Sequence, residues 1–316
     1  MSRAPAQVLT VGETMALLDP LEDGEPVPGS RFRLRVAGAE SNFAIALARL
    51  GVHVAWVSRL GADPFGDLVA QTIAAEGVDV RWVRRETSAP TGVFFKLRAA
   101  GRTSVLYYRR GSAASRLAEG DVSEEALKRV ALVHLTGITM AISASARGLV
   151  LDVARRARER GIDVCFDPNY RPALWSDAAQ ASEAQSDVLP FVDWYLCGLE
   201  EGNLLFGTAS AAELSDVLRA RGARGAAIRV GVNGSLVTDG GLKHVPVARR
   251  ATALDEVGAG DGFAAGFAYG RLRGWEPTRC AAAGNLIAAA AVTGTGDWET
   301  FPRIDDVRDE LERGLP

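Results

Sequence analysis

The segment Asp255-Glu256-Val257-Gly258-Ala259-Gly260-Asp261-Gly262-Phe263 puts three small residues before an apolar helical run, Ala264–Leu272. Such a turn leaves the first N–H groups of the helix free. Together with the helix dipole, they bind an anion. Glycine lets a phosphate come close to the backbone. Asp261 falls in the first helical turn. A carboxylate beside an anion hole is placed to take the proton of a hydroxyl that attacks a phosphoryl group. Taken alone, the same residues also fit a glycine-rich turn with an N-capping aspartate.

Other polar stretches stand where they can serve such a centre. Gly38-Ala39-Glu40-Ser41-Asn42 opens a long helical pattern, where small residues let a polyol lie against the helix start and Asn42 hydrogen-bonds a hydroxyl. Asp167-Pro168-Asn169-Tyr170-Arg171 directly follows a strand-like run ending at Phe166. Tyr107-Tyr108-Arg109-Arg110 closes a hairpin pattern, where an arginine alone is more often a solvated charge. Arg229-Val230-Gly231-Val232-Asn233-Gly234-Ser235 reads as strand, turn and strand; its glycines either bring backbone close to a nucleotide or form a plain hairpin turn.

The elements that must hold these residues alternate. Val8–Val11, Val54–Ser58, Leu132–Leu135, Asp163–Phe166, Trp194–Cys197 and Ala227–Val230 read as short buried strands. Between them, Ala39–Leu50, Phe65–Glu76 and Ser145–Arg160 read as helices, each followed by a glycine suited to the left-handed C-terminal turn. This order predicts an α/β fold, a mostly parallel sheet with helices on both faces. Ligands of such sheets bind beyond the carboxyl ends of the strands. Two segments break the alternation: Met15–Asp19 with Phe32–Val36, and Gly92–Arg98 with Thr103–Arg109 joined by the turn 99–102. With no helix between them, both read as antiparallel pairs. They are expected to form a small β-layer over a site or an interface, or else a simple extension of the main sheet.

The chain has 316 residues, of which 47% are hydrophobic and 24% charged, so it is globular rather than disordered. Lys+Arg is 36 against Asp+Glu 39, a net charge of −3 without the basic excess of a nucleic-acid binder. Cys165, Cys197 and Cys280 are far apart, and His53, His134 and His244 form no ligand-spaced cluster. That excludes a disulfide framework and a zinc site and points to a reducing cytoplasm. No signal-peptide pattern or spanning run is expected, since the apolar stretch Ala281–Val292 is broken by Gly284 and Asn285.

In this order the motifs resemble those of the ribokinase-like (PfkB-type) carbohydrate kinases over nearly the whole chain: Gly12-Glu13, GAESNFAIALARLG, SRLGADPFGD, DPNYR and DEVGAGDGFAAG. The pieces YYRRGSAAS, HLTGIT, DPNYRPALW and LLFG look most like the members that phosphorylate 2-keto-3-deoxygluconate. The resemblance implies one three-layer α/β/α domain over residues 1–316, with a β-lid from segments near 13–36 and 91–112. It implies ATP-dependent phosphorylation of the C6 hydroxyl of that sugar acid. Asp261 would be the base, and the N–H groups of Gly258, Ala259 and Gly260 the anion hole. Gly38 and Asn42 would hold sugar hydroxyls. Tyr107, Arg109 and Arg171 would hold the polar end of the acid, with Ile138 lining the pocket. Asn169, Arg171, Gly231, Asn233, Gly234 and Asn285 would lie on the nucleotide side together with Gly258 and Gly260. Mg2+ would be reached mostly through water, with Glu201 in its network, and a monovalent cation is left open, its site altered by the Glu256 charge. Paired arginines give a physical reason to prefer an acid over a neutral sugar. The lids of two copies would pack together, through Phe32, Leu34, Val36, Phe95 and Leu97, unless each lid folds down on its own domain.

The chain also departs from the family pattern. Gly198 stands where an asparagine precedes the glutamate kept here as Glu201, Glu256 where threonine or proline is usual, Phe94 where a tyrosine would face the sugar, and Arg229 where lysine is more common. The rival readings are a kinase for another sugar, such as fructose, ribose or a related keto-deoxy acid, and a sugar-acid binding protein with weak catalysis.

Overall fold

The computed structural model describes residues 6–99, 102–247 and 257–315. Nine strands form the large sheet: β1 (Val8–Val11), β4 (Val54–Gly61), β5 (Val83–Glu86), β8 (Leu132–Thr136), β9 (Asp163–Asp167), β10 (Trp194–Gly198), β11 (Gly225–Arg229), β12 (Ser235–Thr238) and β13 (Leu242–Val245). Their spatial order is β13-β12-β11-β10-β9-β8-β1-β4-β5. Every pairing from β11 to β5 is parallel, and β12 and β13 add an antiparallel edge. The expected α/β architecture is therefore present, with the strand runs displaced by only one to three residues. The strand, turn and strand read over 229–235 are β11, a short turn and the start of β12, while the short β5 and β13 have weak apolar patterns and were not anticipated.

Helices cover both faces. Ala39–Arg49, Ala259–Arg271 and Pro277–Ala291 bury Phe43, Leu47, Phe263, Phe267 and Ile287 against one side. Ala144–Glu159 and Ala211–Ala220 bury Leu149, Val153, Leu214 and Leu218 against the other. Each such side chain contributes about 1.5–3 kcal/mol by leaving water. Gly51 and Gly77, at φ +81° and +91°, turn the chain out of the first two long helices, in the left-handed region that favours glycine.

A second sheet of four strands stands apart: β2 (Met15–Pro20), β3 (Phe32–Ala37), β6 (Val93–Ala99) and β7 (Arg102–Tyr108), in the order β3-β2-β6-β7. The two hairpins are antiparallel and join through parallel pairing of β2 with β6. Residues 100 and 101 of the anticipated turn lie outside the described residues. One face carries Met15, Leu17, Phe94 and Tyr107 toward the large sheet. The other leaves Leu34, Leu106 and Tyr108 exposed and Phe32, Phe95 and Leu97 half-buried. Val36 is a correction: it is buried in the main core instead of lying on that outer face, because β3 runs into the helix Ala39–Arg49 at this end.

Candidate active site

A cavity of about 920 Å³ lies between the small sheet and the carboxyl ends of the parallel strands. Strand ends supply Asp167 from β9 and Arg229 from β11. Helix starts supply Gly38, Asn42, Gly258, Gly260 and Asp261, and the small sheet supplies Met15, Phe94, Lys96, Val105 and Tyr107. Strand ends and helix N-termini converge here because each parallel crossover returns its helix to the same edge of the sheet.

Asp261 is the third residue of its helix and is buried. Asn42 Nδ2 donates to its Oδ2 at 2.8 Å, and Asn169 Nδ2 to its Oδ1 at 3.3 Å. Asn169 reaches it from a left-handed backbone, φ +38°, a region asparagine tolerates better than most residues. Burial pushes the Asp261 carboxyl up to about 7; the Asn42 amide opposes this, the Asp167 charge adds to it, Arg171 opposes and Glu40 adds. A carboxylate poised there is suited to general-base work at neutral pH. Beside it Gly258 caps the helix at φ +80°, and a Cβ there would lie 2.1 Å from the Asp297 carbonyl, so only glycine fits. Ala259 and Gly260 follow as the first two helical residues, where N–H groups have no intrahelical acceptor. Gly38 is needed for close approach as well: a Cβ would lie 2.3 Å from the Glu13 carbonyl.

The two arginines expected to grip an acid differ. Arg109 is buried and ion-paired with Glu13, its guanidinium 5.6 Å from the Tyr107 ring. Arg171 is exposed, forms no ion pair among the described residues, and donates to the Tyr170 carbonyl at 3.3 Å. Arg171 is therefore the cation open to an incoming carboxylate, and Arg109 already has one. Phe94 stands against Tyr107, ring centroids 5.6 Å apart, and lines the cavity without a hydroxyl to offer. Ile138 lines the wall near the end of β8.

The opposite corner is built from charges. Arg229 meets Asp167 at 3.3 Å and Glu201 at 3.7 Å, and a Cβ on Gly260 would lie 3.4 Å from its guanidinium. Glu201 accepts the N–H of Tyr170 at 2.6 Å and of Gly198 at 3.2 Å, so it also caps the helix Leu199–Phe206. Burial and the Asp167 charge raise its carboxyl, while Arg229 and the two N–H bonds oppose. With both Glu201 oxygens engaged, the donor set suits a magnesium ion reached through water rather than bound directly. Among the described residues no group of three or more His, Cys, Asp or Glu side chains could hold a metal.

Four residues expected on the nucleotide side do not line the cavity. Gly231 and Asn233 form a short exposed turn after β11. Gly234, at φ +96°, packs where a Cβ would lie 2.2 Å from the Val245 carbonyl, and the Asn285 amide donates to that carbonyl at 3.0 Å. Gly234 and Asn285 thus meet at the end of β13. Ala259 contributes main chain alone. Asp255 and Glu256, the latter noted for its charge near a cation site, lie outside the described residues. Sequence reasoning missed Lys96 and Asp297, which form a buried ion pair at 2.5 Å. The even spacing of Phe94 and Lys96 on one strand was the available signal for the first; the second has no local signal.

Two amides thus hold the Asp261 carboxylate at a glycine-opened helix start, facing a cavity between a small sheet and the strand ends of an α/β fold. The family description "pfkB family carbohydrate kinase" matches residues 5–303, and the chain belongs to that family. The 2-dehydro-3-deoxygluconokinase of Bacillus subtilis (strain 168) is 36% identical over 300 residues, covering 93% of this chain and 92% of that protein. The 2-dehydro-3-deoxygluconokinase of Thermoproteus tenax is 33% identical over 315 residues, 98% of this chain and 96% of that protein. A candidate ribokinase II of E.coli, solved in complex with ATP and Mg2+, shares the fold at a TM-score of 0.87 and 24% identity, covering 98% of this chain and 99% of that one.

Proposed function

We propose that this chain transfers the terminal phosphoryl group of ATP to the C6 hydroxyl of 2-keto-3-deoxygluconate, the 2-dehydro-3-deoxygluconate of the relatives' names. The observation that carries the reading is Asp261, buried at the anion-hole helix and held by Asn42 and Asn169. Asp261 takes the proton of the sugar hydroxyl as its oxygen attacks the γ-phosphorus. The bond from that phosphorus to the β,γ-bridging oxygen breaks, and ADP leaves. The N–H groups of Gly258, Ala259 and Gly260 receive the charge of the transferring group. Arg229, beside Gly260, adds a fixed positive charge. Gly231 and Asn233 lie toward the nucleotide side. Asp167 and Glu201 would hold magnesium through water, and the ion would supply positive charge to the phosphates.

Arg171 would hold the carboxylate of the acid, with Asn42, Gly38 and Tyr107 on its hydroxyls. The Glu13–Arg109 pair favours a second reading, a kinase for a neutral sugar, because it takes one of the two arginines away from an incoming carboxylate. A coupled ATP-consumption assay over keto-deoxy sugar acids and neutral hexoses separates them. Turnover of the acid with a kcat/KM at least about tenfold above any hexose, one contact of about 1.4 kcal/mol, is the expected result. A neutral hexose as the best substrate overturns the acid reading.

The proposal extends to assembly and place. Leu34, Leu106 and Tyr108 on the outer face of the small sheet fit a second copy of the chain, making the sheet a lid shared by a dimer. A monomer mass by light scattering, unchanged by Leu34→Glu, would remove that idea. Three free, buried cysteines support a reducing, cytoplasmic setting. No described helix is long and apolar enough to cross a membrane.

A further inference from the structure

We infer that the Lys96–Asp297 ion pair is a positioning contact through which the small sheet sets the anion hole. Lys96 stands on β6 two residues after Phe94 and opposite Val105, and all three line the cavity. Its Nζ donates to Asp297 Oδ1 at 2.5 Å, with both residues buried. The carbonyl of the same Asp297 packs directly on Gly258, 2.1 Å from where a Cβ would stand. One residue therefore joins the sheet that covers the acceptor to the glycine that opens the anion-hole helix.

The surrounding contacts make this a stiff connection. Arg35 of β3 pairs with Glu299, and Trp298 Nε1 donates to the Val36 carbonyl at 2.8 Å. Arg49 donates to the carbonyls of Trp298 and Glu299, both at 3.1 Å, and of Phe301 at 2.8 Å. The loop 297–301 is thus held on one side by two charged residues of the small sheet and on another by the first long helix. Losing Lys96 removes the contact that ties the small sheet to Asp297, the end of this loop that packs on Gly258. A substrate lying against Phe94, Val105 and Tyr107 contacts the same strands. Occupancy of the acceptor side then biases Gly258–Gly260, and phosphoryl-group stabilisation is complete only with the acceptor seated. The identity of that acceptor rests on the proposed function; the contact does not.

Hydrogen exchange on the full chain tests the contact without any substrate. Lys96→Met should speed exchange of the Gly258–Gly262 amides by at least about fivefold, with the helix Pro277–Ala291 unchanged, and Lys96→Arg should restore wild-type exchange to within about twofold. In turnover, Lys96→Met should lower kcat by about tenfold while KM for the sugar acid stays within about threefold, the pattern of a contact that acts in the transition state. Unchanged exchange at Gly258–Gly262, or acceleration spread equally over Pro277–Ala291, overturns the inference. Failure of the wild type to turn over the sugar acid would instead overturn the functional reading, and the exchange result would still decide the latch.

Discussion

Two carboxylate corners share one cavity and are built in opposite ways. Asp261 is buried among neutral amides, Asn42 on one oxygen and Asn169 on the other. Asp167 and Glu201 are gathered around the Arg229 guanidinium, and Glu201 has two backbone N–H groups as well. Amides orient a carboxylate without supplying charge, so burial wins at Asp261 and its proton affinity rises to about 7. At the other corner the guanidinium supplies the charge, and the oxygens of Glu201 are already engaged. Burial raises Glu201 as well, but there a full positive charge and two N–H groups oppose it, whereas at Asp261 the first opposing group is a neutral amide. Neighbours, rather than residue type, decide how each carboxylate is held.

The largest break in this comparison is Asp261→Asn. It should lower kcat by roughly two to four orders of magnitude while ATP and the sugar still bind in calorimetry. Near-normal turnover would remove the carboxylate from the chemistry. At the other corner, Arg229→Met strips Asp167 and Glu201 of their counter-charge. Removing a buried charged partner costs about 2–5 kcal/mol, so kcat/KM for ATP should fall about thirtyfold or more, with the KM of the sugar much less affected. An equal loss for both substrates would show collapse of the cavity rather than loss of a phosphate-side charge.

Acidity sharpens the contrast. If Asp261 is the base, kcat/KM for the sugar should fall as pH drops through about 7, by about tenfold at pH 6. A flat profile down to pH 5 would place the base elsewhere. The same shift bears on stability. The Asp261 carboxyl is raised from 3.8 to about 7 on folding, so its contribution is full below the lower value and is lost as pH rises through the upper one. Asparagine never ionises. The stability of Asp261→Asn relative to wild type should therefore increase by about 2 kcal/mol between pH 5 and pH 8, read as several degrees in Tm. A pH-independent difference would mean that the folded and unfolded carboxyls titrate alike.

Much of this site was legible before any coordinates. The 3.6-residue periodicity marked the long helices, short continuous apolar runs marked the parallel strands, and the small residues 258–260 before an apolar run marked an anion-binding helix start. Those signals are local, set by backbone sterics and by which face must leave water. Asn42, Asn169 and Asp261, far apart in the chain, were also singled out, because each sits at a strand end or helix start of an α/β sheet.

What only the tertiary structure decided depends on partners distant in sequence. Arg109 and Arg171 look alike as residues, yet Glu13 has neutralised one and left the other open. Gly234 and Asn285 are 51 residues apart, and only the fold brings both to the Val245 carbonyl. Lys96 and Asp297 are 201 residues apart, and no periodicity links them. Sequence determined the elements and the chemistry available at their ends, because those follow from short-range sterics and hydrophobic patterning. The charge state and the partner of each side chain were decided by packing, because electrostatics in a buried cavity is set by whatever the fold brings within a few ångströms.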